Sequence, residues 1–220
     1  DDEHGLGDDS EEGNGQFQMM KEAGISVRND ERQSLMHNKF IIFDEETVWT
    51  GSTNLTRNGM HKNNNNVIVF YSSDISERYE SQFKELWKGK SSSERRSPIR
   101  KQTSMIEDTP VMILFAPEDD AMNMLVPLVK QARESVHFMT FAFTHDELGQ
   151  ELLRQSRRGV DVMGVFESRN ATSYHSEIHR LYCNGVDVRK DADDANLLDW
   201  CSPAHHTCSV RSPYADHTLP

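Results

Sequence analysis

From about residue 16 to residue 191 the chain alternates short apolar runs with amphipathic stretches. QFQMMKEA (16–23) reads as the end of a helix stopped by Gly24, and ISVRND follows as a short strand. MHNKFIIFD is a strong strand signal bounded by the turn DEET, and VWTGS returns from it. After the polar STNLTRNG and the run Asn63–Asn66 comes a third strand, VIVFY. ISERYESQFKELWKG has helical spacing and sets Ile75, Tyr79, Phe83, Leu86 and Trp87 on one face. The next twenty or so residues lack an apolar period and are rich in Ser, Lys and Arg, which reads as a linker or a long surface loop.

A fresh alternation then begins. VMILFA is expected as a buried strand, EDDAMNMLVPLVKQARES as a helix with an internal Pro127, and VHFMTFAF as a strand. The helix HDELGQELLRQSRRG ends at Gly159, and VDVMGVF, SEIHRLYCNG and VDVRKD read as strand, helix and strand. Strands alternating with helices of this length predict an α/β fold, a mixed sheet flanked by helices. GISVRND at Gly24–Asp30 matches GVDVRKD at Gly185–Asp191, 161 residues on, and both follow a helix that ends in glycine. The expected organisation is therefore two incomplete pseudo-repeats, the first lacking its beginning and the second its end. A disordered acidic segment (1–15) precedes the C-terminal part of the first repeat (16–90). A linker (91–109), the N-terminal part of the second repeat (110–195) and a divergent tail (196–220) follow.

Composition narrows the picture. The 220 residues suffice for one large domain or two small ones. A formal net charge of −12 disfavours non-specific wrapping of DNA, though not a locally basic cleft, and part of the excess sits in the first dozen residues. No apolar run reaches the roughly 18 residues that span a bilayer. Three cysteines do not make a disulfide framework, so the compartment stays open.

The chemistry concentrates in His37-Asn38-Lys39 and Asp44. On a strand His37 and Lys39 would share a face, about 7 Å apart. An imidazole beside an ammonium is a poor structural choice without a shared anion. A phosphate between them resolves it: the lysine holds a non-bridging oxygen while the histidine attacks phosphorus or moves a proton. Asp44, at the turn, could orient a ring or tune its charge. On the returning strand Gly51 allows backbone to approach a ligand, and Ser52 and Asn54 add neutral donors. One asparagine of Asn63–Asn66 could support the site from the neighbouring strand, although a polar turn is the plainer reading.

His37, Lys39, Asp44, Gly51, Ser52 and Asn54, as H-x-K-x4-D followed by G-S-x-N, resemble the phospholipase D superfamily. The surrounding LMHNKFIIFDEETVWTGSTNLTRNG resembles two-repeat bacterial members, and residues 111–191 resemble the start of their second repeat. The resemblance implies a hydrolase that cleaves phosphodiesters of a phospholipid or a nucleic acid, with no cofactor or metal. It implies two such motifs per site: one histidine forms a phosphohistidine, the other protonates the leaving alcohol, and paired lysines and asparagines hold the phosphoryl oxygens.

The second motif is missing. The repeat offset places it at Leu198 and Trp200, and of the ten histidines only His37 is followed two residues on by lysine. The second half-site is expected from sequence outside this chain or from another subunit; the alternative is an inactive fragment or a phosphate-binding remnant. Cys201, His205, His206 and Cys208 raise a zinc-dependent hydrolase as a third reading, but C-x3-H-H-x-C is not a usual structural zinc spacing. Glu167 reads as a solvated carboxylate, His137 as a packed strand histidine, and the Arg/Lys cluster at 95–101 as a solvated linker face.

Overall fold

The computed structural model describes residues 16–28, 35–89 and 103–191. They divide into two compact units that meet in sequence between Asp120 and Ala121. The acidic segment 1–15, the tail 196–220 with its Cys/His set, and the basic cluster 95–101 lie outside the described residues.

The first unit opens with helix α1 (Gln16–Glu22). A three-stranded antiparallel sheet follows, in the order β1 (Phe40–Phe43), β2 (Thr47–Gly51), β3 (Val67–Tyr71). The short helix α2 (Arg57–His61) lies between β2 and β3, and the long helix α3 (Ser73–Trp87) comes after them. Ser72 caps α3, its side chain accepting from the Ile75 amide. The core side of the sheet offers Phe40, Ile42, Val48 and Phe70 to Ile75 and Tyr79 of α3. Val48 and Ile75 are fully buried, each worth about 2 kcal/mol in apolar area removed from water. Tyr79 sits edge-on to Phe40 at 5.0 Å and to Phe115 at 5.1 Å between ring centroids.

The buried stripe of α3 is not the one its spacing suggested. Arg78, Gln82 and Glu85 are buried with Ile75 and Tyr79, while Phe83 is exposed and stacks on Trp87. Arg78 is inside because a partner waits there. Arg78 pairs with Asp119 and lies 5.1 Å from the Phe115 ring centroid, and Asp119 also accepts from the Phe115 amide at 2.7 Å. Asp119 comes from the segment after the antiparallel hairpin β4 (Thr103–Ile106) and β5 (Thr109–Met112). The expected linker thus gives way to a strand at Thr103. Ile106, Val111 and Ile113 pack with the first unit's core, which is what draws this segment into that unit.

In the second unit α4 (Ala121–Gln131) keeps Pro127 within it. The parallel sheet β6 (Ser135–Thr140), β7 (Asp161–Phe166), β8 (Asp187–Lys190) is ordered as in the chain. Helices α5 (Asp146–Arg157), α6 (Ser168–Ala171) and α7 (Ile178–Cys183) connect its strands. This is the expected βαβ alternation, and the protein is α/β. Among the described residues, however, the antiparallel and parallel strands form separate sheets. Phe138, Phe143 and Phe166 pack together with centroids 5.6–5.8 Å apart, over a core that includes Ile178, Leu181 and Val188.

The two matching heptapeptides share a local geometry. Gly24 and Gly185 take φ of 77° and 83°, the left-handed conformation that ends a helix. The Ile25 amide donates to the Met20 carbonyl and the Val186 amide to the Leu181 carbonyl, each at the same offset of 161. Beyond the cap they part: residues 187–190 pair with β7, whereas residues 25–28 have no ladder partner among the described residues and form no strand. Among the described residues, no helix is long and apolar enough to cross a membrane.

Candidate active site

The register of the β1–β2 hairpin decides what can meet. Phe40 pairs with Thr50 and Phe43 with Thr47, so the residues just before β1 and just after β2 leave the sheet side by side. His37 and Lys39 stand on the first of these segments, Gly51, Ser52 and Asn54 on the second. The strand itself begins only at Phe40. Residues 35–39 approach without ladder hydrogen bonds, because the segment opposite them turns away after Gly51 to run into the loop toward α2. The expected single strand through MHNKFIIFD is thus shorter, and the motif residues lie at its open end.

That end is anchored from the core. The Thr50 hydroxyl donates to the Lys39 carbonyl at 3.0 Å, and the Tyr79 hydroxyl is hydrogen-bonded to the Thr50 side chain. A residue at the centre of the aromatic cluster thereby holds the backbone of the motif lysine. The Lys39 ammonium folds back to donate to the His37 carbonyl at 2.8 Å. Burial pushes its pKa below the ordinary lysine value. His37 is exposed, and among the described residues neither a carboxylate pairs with Lys39 nor a side chain bonds the His37 ring.

Gly51 makes a close approach to the backbone that leads into β3, the neighbouring strand. Its φ is 148°, and a Cβ there would fall 2.2 Å from the Asn66 carbonyl oxygen at the start of β3. The Ser52 amide donates to that oxygen at 3.1 Å, as does the Thr53 hydroxyl at 3.2 Å. The Ser52 hydroxyl accepts from the Asn66 amide at 3.0 Å and donates to Asn65 Oδ1 at 3.1 Å. Asn54 is exposed beyond this clamp. Thr50 and Tyr79 were missed from the sequence; Thr50, preceding the G-S-x-N run on a returning strand, was the available signal.

Asp44 lies elsewhere. It forms the hairpin turn with Glu45, at φ of 51° and 58°, at the other end of β1 from His37. Four residues of extended chain lie between it and Lys39, a separation of roughly 16 Å. The position expected to tune the histidine is therefore a turn position. Glu167 and His137 also differ from expectation. Glu167 caps α6, accepting from the Asn170 amide at 2.8 Å. His137 is exposed rather than packed, 3.2 Å from Asp161, because strand alternation sends Val136 and Phe138 to the core. It lines a cavity of about 550 Å³ together with Leu125, Val129, Phe138, Phe143 and Leu148, and none of the residues of the H-x-K-x4-D and G-S-x-N motifs reaches that cavity. Among the described residues no three metal-ligating side chains gather into a cluster.

An exposed imidazole, an ammonium with no paired carboxylate among the described residues, a neutral carboxamide and a glycine-permitted backbone crossing are the groups that the resemblance to the phospholipase D superfamily led us to expect at a phosphodiester site. Residues 5–87 match the family described as "Cardiolipin synthase, PLD-like domain". Through this segment the chain is similar to the phospholipase D superfamily. It is similar to proteins named mitochondrial cardiolipin hydrolase. That of Chlamydomonas reinhardtii is 39% identical over 67 residues, 30% of this chain and 30% of that protein. The Xenopus laevis protein is 34% identical over 68 residues (31% and 32%), and the Mus musculus protein 32% over 72 residues (33% of each). The matched segment spans about a third of the length of these relatives.

Proposed function

We propose that this chain supplies one half-site of a phospholipid phosphodiesterase that works through a phosphohistidine without a metal. The observation that carries the reading is Lys39: a partly buried ammonium beside an exposed histidine, with no carboxylate paired to it among the described residues. Phosphate is the anion whose oxygens it fits. The relatives' names add the phospholipid class.

In this mechanism one histidine attacks phosphorus, forming a P–N bond as the P–O bond to the leaving alcohol breaks. The second histidine gives that alcohol its proton. Water, deprotonated by the second histidine, then attacks phosphorus and the P–N bond breaks. His37 takes one of these roles. Lys39 and Asn54 hold the phosphoryl oxygens as charge develops on them. The other histidine and lysine come from sequence outside this chain or from another subunit, and residues 111–191 are the start of a second repeat.

A second reading, a phosphate-binding remnant without catalysis, is favoured by one observation: no other histidine here is followed two residues on by lysine. Hydrolysis of bis(p-nitrophenyl) phosphate and of cardiolipin vesicles, in EDTA, by the chain and by His37→Ala separates the two. Turnover that vanishes in the variant supports the enzyme. Phosphate binding that His37→Ala weakens, without turnover even when a chain bearing a second H-x-K is added, supports the remnant. Turnover that His37→Ala leaves unchanged defeats both.

A further inference from the structure

The loop between β2 and β3 carries Asn54, and its hydrogen bonds converge on one side chain outside the motif. The Ser52 hydroxyl has a single proton, and that proton goes to Asn65 Oδ1. The same hydroxyl oxygen accepts from the Asn66 amide. Ser52 is thus committed within the loop rather than offered to a ligand. The other end of the Asn65 carboxamide donates from Nδ2 to the Gly59 carbonyl at 2.9 Å.

Gly59 in turn bears on Asn54. A Cβ at Gly59 would fall 2.2 Å from the Asn54 carbonyl oxygen, so the two backbones are in direct contact. That oxygen also accepts from the Thr56 amide at 2.8 Å, and the Thr56 hydroxyl caps α2 by accepting from the Gly59 amide at 3.0 Å. A continuous path therefore runs from Asn65 through Gly59 to the backbone of Asn54, and a second from Asn65 through Ser52 to the end of β2. An amide side chain suits the junction because it accepts on one atom and donates from the other.

We propose that Asn65 is a positioning residue: by tying Ser52 to Gly59 it fixes the loop that presents Asn54, so that Asn54 and Lys39 together take the oxygens of a phosphate. This rests on the phosphate-site reading above and names the group that shapes that site.

The test is a titration of the whole chain with inorganic phosphate. It is followed through the His37 imidazole resonances by NMR, assigned with His37→Ala, with the thermal midpoint measured alongside. Asn65 is exposed, so Asn65→Ala is expected to melt within about 3 °C of the parent, as surface substitutions do. Its phosphate affinity should fall about tenfold. Asn65→Asp keeps the acceptor for Ser52 and loses the donor to Gly59; it should show part of the loss, and it carries the test if Asn65→Ala does not fold. Because Asn65 acts through Asn54, the double variant Asn54→Ala/Asn65→Ala should bind no more weakly than Asn54→Ala alone. Wild-type affinity in Asn65→Ala, or losses that add fully in the double variant, overturn the inference while the site reading stands. A parent chain whose His37 does not respond to phosphate overturns both together.

Discussion

In each unit burial works against the charge of an ionisable group, Lys39 in the first and Glu177 in the second, and the two outcomes differ. In the first unit Lys39 sits at the open end of a sheet, its pKa lowered, with exposed His37 and Asn54 nearby. In the second, Glu177 is only 3% exposed, and its side chain occupies the space a Cβ on Gly149 would need. Burial pushes its pKa up to about 7, with Arg180 opposing and Asp146 adding to the rise. Arg180 approaches Glu177 at 3.3 Å but also binds Asp146 at 3.1 Å, so its charge is shared. An undercompensated charge with solvent beside it can be completed by a ligand. One sealed between helices can only be completed by a proton.

The strongest break of this comparison removes the groups proposed to face the ligand. In an assembled enzyme, His37→Ala should lower kcat on bis(p-nitrophenyl) phosphate by about 10³-fold or more, and Lys39→Met by about 10²–10³-fold, because each acts on charge that develops in the transition state. Neither should shift the thermal midpoint downward by more than a few degrees, since His37 is exposed and Lys39 gives up only a bond to a neighbouring carbonyl. A Lys39→Met variant with parental kcat would mean that the ammonium faces no substrate.

Next in size is Gly51→Ala, which tests whether the open end is held by backbone contact. A methyl group 2.2 Å from the Asn66 oxygen, on a residue at φ 148°, must push β3 away from β2. Strain and overlap together should cost roughly 3–5 kcal/mol in urea unfolding. A cost below about 1 kcal/mol would show that the crossing is looser than it stands here.

The other half of the comparison titrates. Glu177 has a folded pKa of about 7 against an ordinary 4.5, so folding takes up a proton between these values. Its contribution to stability is fully present below about pH 4.5 and is lost as pH rises through 7. At about 1.4 kcal/mol per pH unit the loss is roughly 2–3 kcal/mol, allowing for relaxation around the ionised group. Glu177→Gln should therefore flatten the stability profile between pH 5 and 8 and raise stability at pH 8. Denaturant midpoints at the two pH values check it, and an unchanged slope in the variant would assign the dependence to other groups.

What could be read in advance divides along physical lines. The caps at Gly24 and Gly185 were legible because a left-handed glycine after a helix is a local event. That the segment carrying His37 and Lys39 runs beside the one carrying Gly51, Ser52 and Asn54 was legible because a tight hairpin brings its flanking residues together whatever its length. The start of β1 was not legible, since a strand exists only where a neighbour pairs with it, and Gly51 turns the neighbour away. Nor was the buried stripe of α3: Arg78 is inside because Asp119, 41 residues on, meets it there. Asp44 was legible as a turn residue, but its distance from the motif histidine follows from the strand between them. Spacing along a strand measures distance, and four apolar residues carry Asp44 to the far end of the hairpin.

That distance makes the smallest prediction the most discriminating. At roughly 16 Å from Lys39, across solvent, the Asp44 charge lies beyond the screening length of about 8–10 Å at physiological salt. It cannot compensate the ammonium, and no other carboxylate among the described residues pairs with Lys39. What the position demands is conformation: φ is 51°, a value that asparagine and aspartate tolerate and β-branched residues do not. Asp44→Asn should hold stability within about 0.5 kcal/mol and activity within about threefold. Asp44→Val, equally neutral but unable to take that turn cheaply, should lose about 1–2 kcal/mol in denaturant unfolding. If Asp44→Asn instead lost activity as far as Lys39→Met while folding normally, the carboxylate would be acting on the site itself, and the two ends of the hairpin would have to be treated as one electrostatic unit.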